Sequence, residues 1–260
     1  MNHYTSLLVI FKILCISSLT FLLSCQSNSP TNTITIATAS NMQFATQRIV
    51  DQFTKKHKIS CEIITSSSGK LMAQIKEGAP YDIFLSADTK YPNELHKLNL
   101  TSDLPKVYAA GKLVLWSSDT DLKLSVDQLS SPDINHIALA NPMTAPYGKA
   151  AKMVLQQLPN FDAFESKLVF GESISQTNQF IMSRAAEVGF TAMSVVKSKQ
   201  LKNQGKWIEI PENLYQPIDQ AAVIISRKQA HFEDIELFYH YLFSEESRKV
   251  LKDFGYSVSE

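Results

Sequence analysis

Almost every signature that would announce catalysis is missing from this chain. There is no G-x-S-x-G nucleophile elbow, no H-E-x-x-H zinc helix and no G-x-x-x-x-G-K phosphate loop. The six histidines (His3, His57, His96, His136, His231 and His240) show no metal-ligand spacing, which leaves no basis for a protein-held cation. Ser67-Ser68-Gly69-Lys70 satisfies the S-x-x-K pattern of acylating enzymes. With only two fixed positions that pattern recurs by chance, and its partner K-T-G is absent. Cysteine is scarce: Cys15, Cys25 and Cys61 are too few for a disulfide framework. Formal net charge is zero, so the basic face that a nucleic-acid binder needs is missing. The longest N-terminal apolar stretch, Ile13 to Leu23, is short for a membrane span. No internal repeat, low-complexity tract or long linker interrupts the chain. What is present is a hydrophobic content of 44% over 260 residues. That suffices for a packed core in one large domain or two small ones.

The N-terminus reads as an export signal. Lys12 precedes the apolar stretch, and residues 1–24 fall outside the fold. Leu22-Leu23-Ser24-Cys25 resembles the lipobox of bacterial lipoproteins, in which the cysteine is lipidated and becomes the first residue. Residues 25–32 are then a polar tether. Loss of Lys12 leaves the mature chain with a net charge of −1. The competing reading is an ordinary signal peptide that happens to contain a cysteine. Cys61 remains, beside a strand pattern, and is read as a small buried apolar residue because no His or Asn pattern makes it a nucleophile.

From Thr33 the pattern becomes strand, hydroxyl-rich turn, helix. Thr33 to Ala37 alternates as a strand and runs into Thr38-Ala39-Ser40-Asn41. A helix follows with Phe44, Ile49, Val50 and Phe53 on one face and Ser40 as its N-cap. The strand Ile59 to Thr65 leads into Ser66-Ser67-Ser68-Gly69-Lys70 and a helix carrying Leu71, Met72 and Ile75, with Ser68 as N-cap. Tyr81 to Leu85 is a third strand, and Asp88 caps a helix ending near Leu98. This βαβαβα order predicts a parallel sheet with right-handed crossovers. The helix starts then gather at the carboxyl ends of the strands, where open α/β sheets bind ligands. Unpaired N–H groups and about half a positive charge at each start suit an anion. Plain helix capping is the competing explanation of each serine.

A second α/β region begins after the long apolar strand Gly111 to Ser117. Its strands are His136 to Ala140, Leu168 to Phe170, Val188 to Ala192 and Trp207 to Ile210. Two further helix starts fall near Tyr147 and Ile174. The apolar run Ala221 to Ile225 is expected to pair with Leu113 to Ser117, and helices Phe232 to Leu242 and Glu245 to Phe254 close the chain. Two α/β lobes joined by two crossing strands is the simplest arrangement.

The order of these pieces carries a resemblance. Ala39-Ser40-Asn41-Met42 is followed by Ser66-Ser67-Ser68-Gly69 and by Glu77-Gly78-Ala79-Pro80 with Asp82-Ile83-Phe84-Leu85-Ser86-Ala87-Asp88. Then come Gly111-Lys112-Leu113-Val114, Ala140-Asn141-Pro142 with Pro146-Tyr147-Gly148-Lys149-Ala150, and Val188-Gly189-Phe190. From about Thr33 to Tyr256 this resembles the periplasmic molybdate-binding proteins of ABC transporters, and the block from Glu77 to Asp88 is its most specific part. The resemblance implies a two-lobed type II periplasmic binding fold, each lobe a mainly parallel sheet flanked by helices. Residues 33–113 with 217–260 would be the first lobe and 114–216 the second. The lobes would close on a tetrahedral oxyanion, molybdate or tungstate, without a metal cation or cofactor.

Carried over by position, the implied ligand contacts are Ser40, Asn41, Ser68, Tyr147 and Ile174. Ser40 and Ser68 would supply hydroxyl and backbone donors, Tyr147 and Ile174 mainly backbone N–H groups. The chain departs at Ala192, where many members have a tyrosine that donates its hydroxyl. One donor is missing there, or Tyr147 or Asn41 replaces it. The implied protein is not an enzyme. It is the exported, lipid-anchored, monomeric substrate-binding component of an importer, in the periplasm or at the cell surface, delivering its ligand to a membrane permease and ATPase subunits. Alternatives are another small oxyanion or organic anion such as sulfate or a phosphonate, or an enzyme on the same fold as in porphobilinogen deaminase-like relatives. The latter needs a covalently loaded cysteine, and Cys61 precedes the anion loop. Charge-assisted bonds of about 1.5–3 kcal/mol each, offset by ordering and closure, predict a dissociation constant between about nanomolar and micromolar.

Overall fold

Ile34 and Ile36 are fully buried on strand β1 (Thr33–Ala39), as its alternation requires. The computed structural model describes residues 33–159, 161–227 and 231–258. The export signal, Cys25 and the tether lie outside the described residues. After β1 the chain makes a 3-10 turn at Ser40–Met42 and enters α1 (Gln43–His57). Helix α1 ends where Lys58 takes a left-handed conformation and its N–H closes on Thr54 O at 2.9 Å. Next come β2 (Ser60–Ser66), α2 (Ser68–Lys76), β3 (Ile83–Ser86), α3 (Lys90–Lys97) and β4 (Lys106–Gly111). Only Lys112 separates β4 from β5 (Leu113–Ser117). The second half runs β6 (Ile137–Ala140), α4 (Pro146–Gln157), α5 (Asp162–Glu165), β7 (Leu168–Gly171), α6 (Ile174–Met182), β8 (Val188–Ala192), α7 (Met193–Val196) and β9 (Lys206–Glu209). Strand β10 (Ile218–Ile224) and helices α8 (Phe232–Leu242) and α9 (Glu245–Asp253) follow.

The strands form two five-stranded sheets, β2-β1-β3-β10-β4 and β7-β6-β8-β5-β9. Each is mixed rather than mainly parallel. In the first, β1 pairs parallel with β2 and β3, while β10 is antiparallel to β3 and β4. In the second, β6 pairs parallel with β7 and β8, while β5 is antiparallel to β8 and β9. The antiparallel members are the strands through which the chain changes sheets.

The expected pairing of Leu113 to Ser117 with Ala221 to Ile225 does not occur. Those runs are β5 and most of β10, one in each sheet. A continuous apolar run reports burial on both faces of a sheet, and both strands have neighbours on either side. It does not report which strand lies next door. The chain instead crosses at Lys112 and returns between Ile210 and Pro217.

Three apolar clusters hold the sheets. Trp116, Tyr147, Phe190 and Val154 belong to the second lobe's core. Ile34, Phe53 and Phe238 fill one face of the first sheet, and the Phe53 and Phe238 rings meet edge-on at 5.0 Å. Leu71, Phe84 and Leu95 fill the other face. Cys61 is half-buried, and burial pushes its thiol up to about 12, so it is an unreactive group.

Candidate anion-binding site

Register brings the junctions together. Ala39, the last residue of β1, lies opposite Ser66, the last of β2. In the other sheet Ala140 at the end of β6 lies opposite Gly171 at the end of β7. Each of these four strand ends feeds a helical start: Ser40, Ser68, Pro146 and Ile174. Gly148 lets α4 lie close to its strand, because a Cβ there would overlap the Ala140 carbonyl.

Ser40, Asn41, Ser68, Tyr147 and Ile174 all line one small void, with Ala39, Ser67, Ala87, Ala145 and Pro146. No charged side chain is among these lining residues. Ser40, Ser67 and Ser68 are each at most 4% exposed. The hydroxyls of Ser40 and Ser67 meet no protein partner. A buried hydroxyl in that condition costs free energy unless something else satisfies it.

The caps differ from the sequence expectation. Ser68 is the first residue of α2, and Ser67 holds the N-cap position without making a side-chain cap bond. Ser68 Oγ instead accepts the Ala87 N–H at 3.0 Å, which leaves its own hydrogen to donate. Ser40 opens the 3-10 turn, and α1 begins three residues later. Thr89 takes the N-cap position of α3, but Asp88 Oδ1 accepts the Tyr91 N–H at 3.2 Å. Burial raises the Asp88 carboxyl above its ordinary range. In the second lobe the Ser173 hydroxyl caps α6 by accepting Gln176 N–H at 3.4 Å, and the first intrahelical bond of α4 is Lys149 N–H to Ala145 O at 3.0 Å. The N–H groups of Tyr147 and Ile174 precede those bonds and stay outside the ladder.

Two side chains expected to replace a missing donor point elsewhere. Asn41 Nδ2 donates to Gln220 Oε1 at 2.9 Å and to Tyr256 Oη at 3.0 Å. The Asn41 carbonyl accepts Ser194 Oγ at 2.7 Å. Tyr147 Oη lies 3.4 Å from Gln220 Nε2, in the same buried network. Asn41 and Tyr147 therefore reach the void through their backbones, and Ala192 does not line it. The sequence reading passed over Ser67. The run of three serines across a strand-to-helix junction was its signal, but spacing could not say which hydroxyl stays unpaired.

The chain matches the bacterial extracellular solute-binding protein family over residues 34–257. It is 37% identical over 235 residues to the molybdate-binding protein ModA of Azotobacter vinelandii, covering 86% of this chain and 90% of that protein. It is 35% identical over 223 residues to ModA of Rhodobacter capsulatus, covering 85% and 86%. The solved periplasmic molybdate-binding protein of Azotobacter vinelandii superposes with a TM-score of 0.82 at 32% identity, covering 87% of this chain and all of that one. The chain belongs to the bacterial extracellular solute-binding proteins, alongside the periplasmic molybdate-binding proteins.

Proposed function

We propose that this protein captures molybdate, and tungstate with it, as the substrate-binding component of an ABC importer. The observation that carries the reading is a buried void walled by neutral groups, with two unpartnered hydroxyls and helix starts from both lobes. Such a wall recognises a dianion by directed hydrogen bonds and the dipoles of helix N-termini, without a counter-cation. Ser40, Ser67 and Ser68 supply hydroxyls, while Asn41, Tyr147 and Ile174 supply backbone N–H groups. A wall that offers mainly donors favours an oxyanion carrying no proton, because a protonated phosphate brings a donor of its own. The two lobes act as jaws around it, dividing at Lys112, so that Leu113 goes with β5 in the second lobe rather than with the first.

As a solute-binding protein it is not an enzyme, and the molybdenum enters as part of an oxyanion ligand. Its partners are a membrane permease and ATPase subunits. Export to the periplasm or cell surface, anchoring through a lipid on Cys25 and a monomeric state complete the proposal. Calorimetry with molybdate, tungstate, sulfate and phosphate tests the ligand. Heat of binding with the first two, at micromolar concentrations or below, is expected. Saturation by phosphate with no response to molybdate would overturn the assignment.

A further inference from the structure

We propose that Gly69 couples anion capture to lobe closure: its N–H and its lack of a side chain lock the anion-loop helix onto Thr144 of the opposite lobe. This rests on the binding reading above. Gly69 is the second residue of α2. Its N–H donates across the cleft to Thr144 O at 2.8 Å. Adjacent residues of one helical turn thus serve different ends, Ser68 at the void and Gly69 at the other lobe.

The contact has no room for a larger residue. A Cβ at position 69 would lie 3.0 Å from both Cα and O of Thr144 and 2.8 Å from Tyr91 Oη. Tyr91 Oη donates to the Met143 carbonyl at 3.1 Å. Two successive carbonyls of one lobe are therefore held by two donors of the other. The loop is shaped to present them, since Asn141 Oδ1 accepts Met143 N–H at 2.9 Å and Asn141 O accepts Ala145 N–H at 2.8 Å. The same loop runs directly into Pro146 and Tyr147 at the void. Movement at the latch must move the ligand wall. On the same side of the cleft the lobes also share a half-exposed Lys70–Glu172 ion pair and Ser175 Oγ to Gln43 Oε1 at 3.1 Å, and exposed ion pairs of that kind contribute little. Behind the void Ser194 Oγ donates to Asn41 O at 2.7 Å, Tyr256 Oη to Ser194 Oγ at 2.9 Å and Gln220 Nε2 to Tyr147 Oη at 3.4 Å, buried contacts that Gly69 does not touch.

The latch exists only when the lobes are together, so it raises the closed fraction, and apparent affinity scales with that fraction. Alanine at position 69 should act in two opposite directions. It favours the helix, and it pushes Thr144 away. In the mature chain we expect Gly69→Ala to bind molybdate about tenfold more weakly and Gly69→Val about a hundredfold more weakly, through a smaller closed fraction. The unliganded melting temperature of Gly69→Ala should be equal to wild type or higher. Tyr91→Phe should weaken binding by about threefold, the loss of one neutral hydrogen bond. Wild-type affinity in Gly69→Ala, or a lowered unliganded melting temperature in that variant, would overturn the proposal. If wild type binds no oxyanion, the binding reading fails by itself and small-angle scattering decides the latch. A larger radius of gyration for Gly69→Val than for wild type would sustain the latch, and equal radii would sink it.

Discussion

Ser68 Oγ accepts the backbone N–H of Ala87 at 3.0 Å, so this hydroxyl ties α2 to the end of β3 as well as facing the void. Ser67 and Ser40 have no such second task. The three serines should therefore separate experimentally. Ser67→Ala and Ser40→Ala are each expected to weaken molybdate binding by about tenfold or more, from loss of a charge-assisted bond of ~1.5–3 kcal/mol, with little change in unliganded melting temperature. Ser68→Ala should weaken binding and also lower stability by about 1–3 kcal/mol, because the Ala87 N–H is left buried and unpaired. Calorimetry and thermal melts on the three variants check this. Unchanged affinity in both Ser40→Ala and Ser67→Ala would remove the hydroxyls from the site.

Tyr147 should contribute through its backbone alone. Its hydroxyl lies 3.4 Å from Gln220 Nε2, in the network behind the void. Tyr147→Phe is therefore expected to hold molybdate affinity within about threefold and to lose at most ~1 kcal/mol of stability. A hundredfold weaker variant would place the hydroxyl in the site after all.

Asp88 follows Ala87, which lines the void. Burial is the main cause that raises its carboxyl. A carboxylate whose folded pKa is raised contributes stability that is fully present below its unfolded value, about 3.9. That contribution is lost as pH rises through the folded value. Asp88→Asn keeps an acceptor for Tyr91 N–H and Ser86 Oγ, which Asp88 Oδ1 now serves at 3.2 and 3.0 Å. The variant should be at least as stable as wild type at neutral pH and should lose this part of the acid-side pH dependence. It should also bind the dianion more tightly, since one negative charge near the void is gone. Melting temperatures across the acid range, with calorimetry at pH 7, test both parts. Weaker binding would show that the carboxylate orders the loop.

Cys25→Ser should release the protein from membranes or block its processing. Stable anchoring takes two or more acyl chains, all of which would be carried by this cysteine. Membrane fractionation of wild type and variant is the measurement. A wild-type protein recovered free of membranes would remove the anchor.

The junctions at Ser40, Ser68, Tyr147 and Ile174 were legible because their signals are local. A β-branched strand, a hydroxyl- or proline-bearing turn and an apolar helical face lie within a few residues of one another. The Ala39–Ser66 and Ala140–Gly171 registers were not legible, since pairing joins residues far apart in the chain. The same limit explains the mistaken pairing of β5 with β10. Their composition reports burial on two faces, and any strand at a sheet's centre meets that condition.

By itself the sequence determined that four strand-to-helix junctions carry hydroxyl- or proline-bearing helix starts, and that Ala192 brings no hydroxyl. Only the tertiary structure decided which polar groups remain free to serve a ligand. Ser68 meets a donor 19 residues away, and the Asn41 amide meets an acceptor 179 residues away. The Gly69 N–H goes to Thr144 in the other lobe. Hydrogen-bond partners are exclusive and short-ranged, so the assignment of each donor depends on which distant groups the fold brings within about 3 Å.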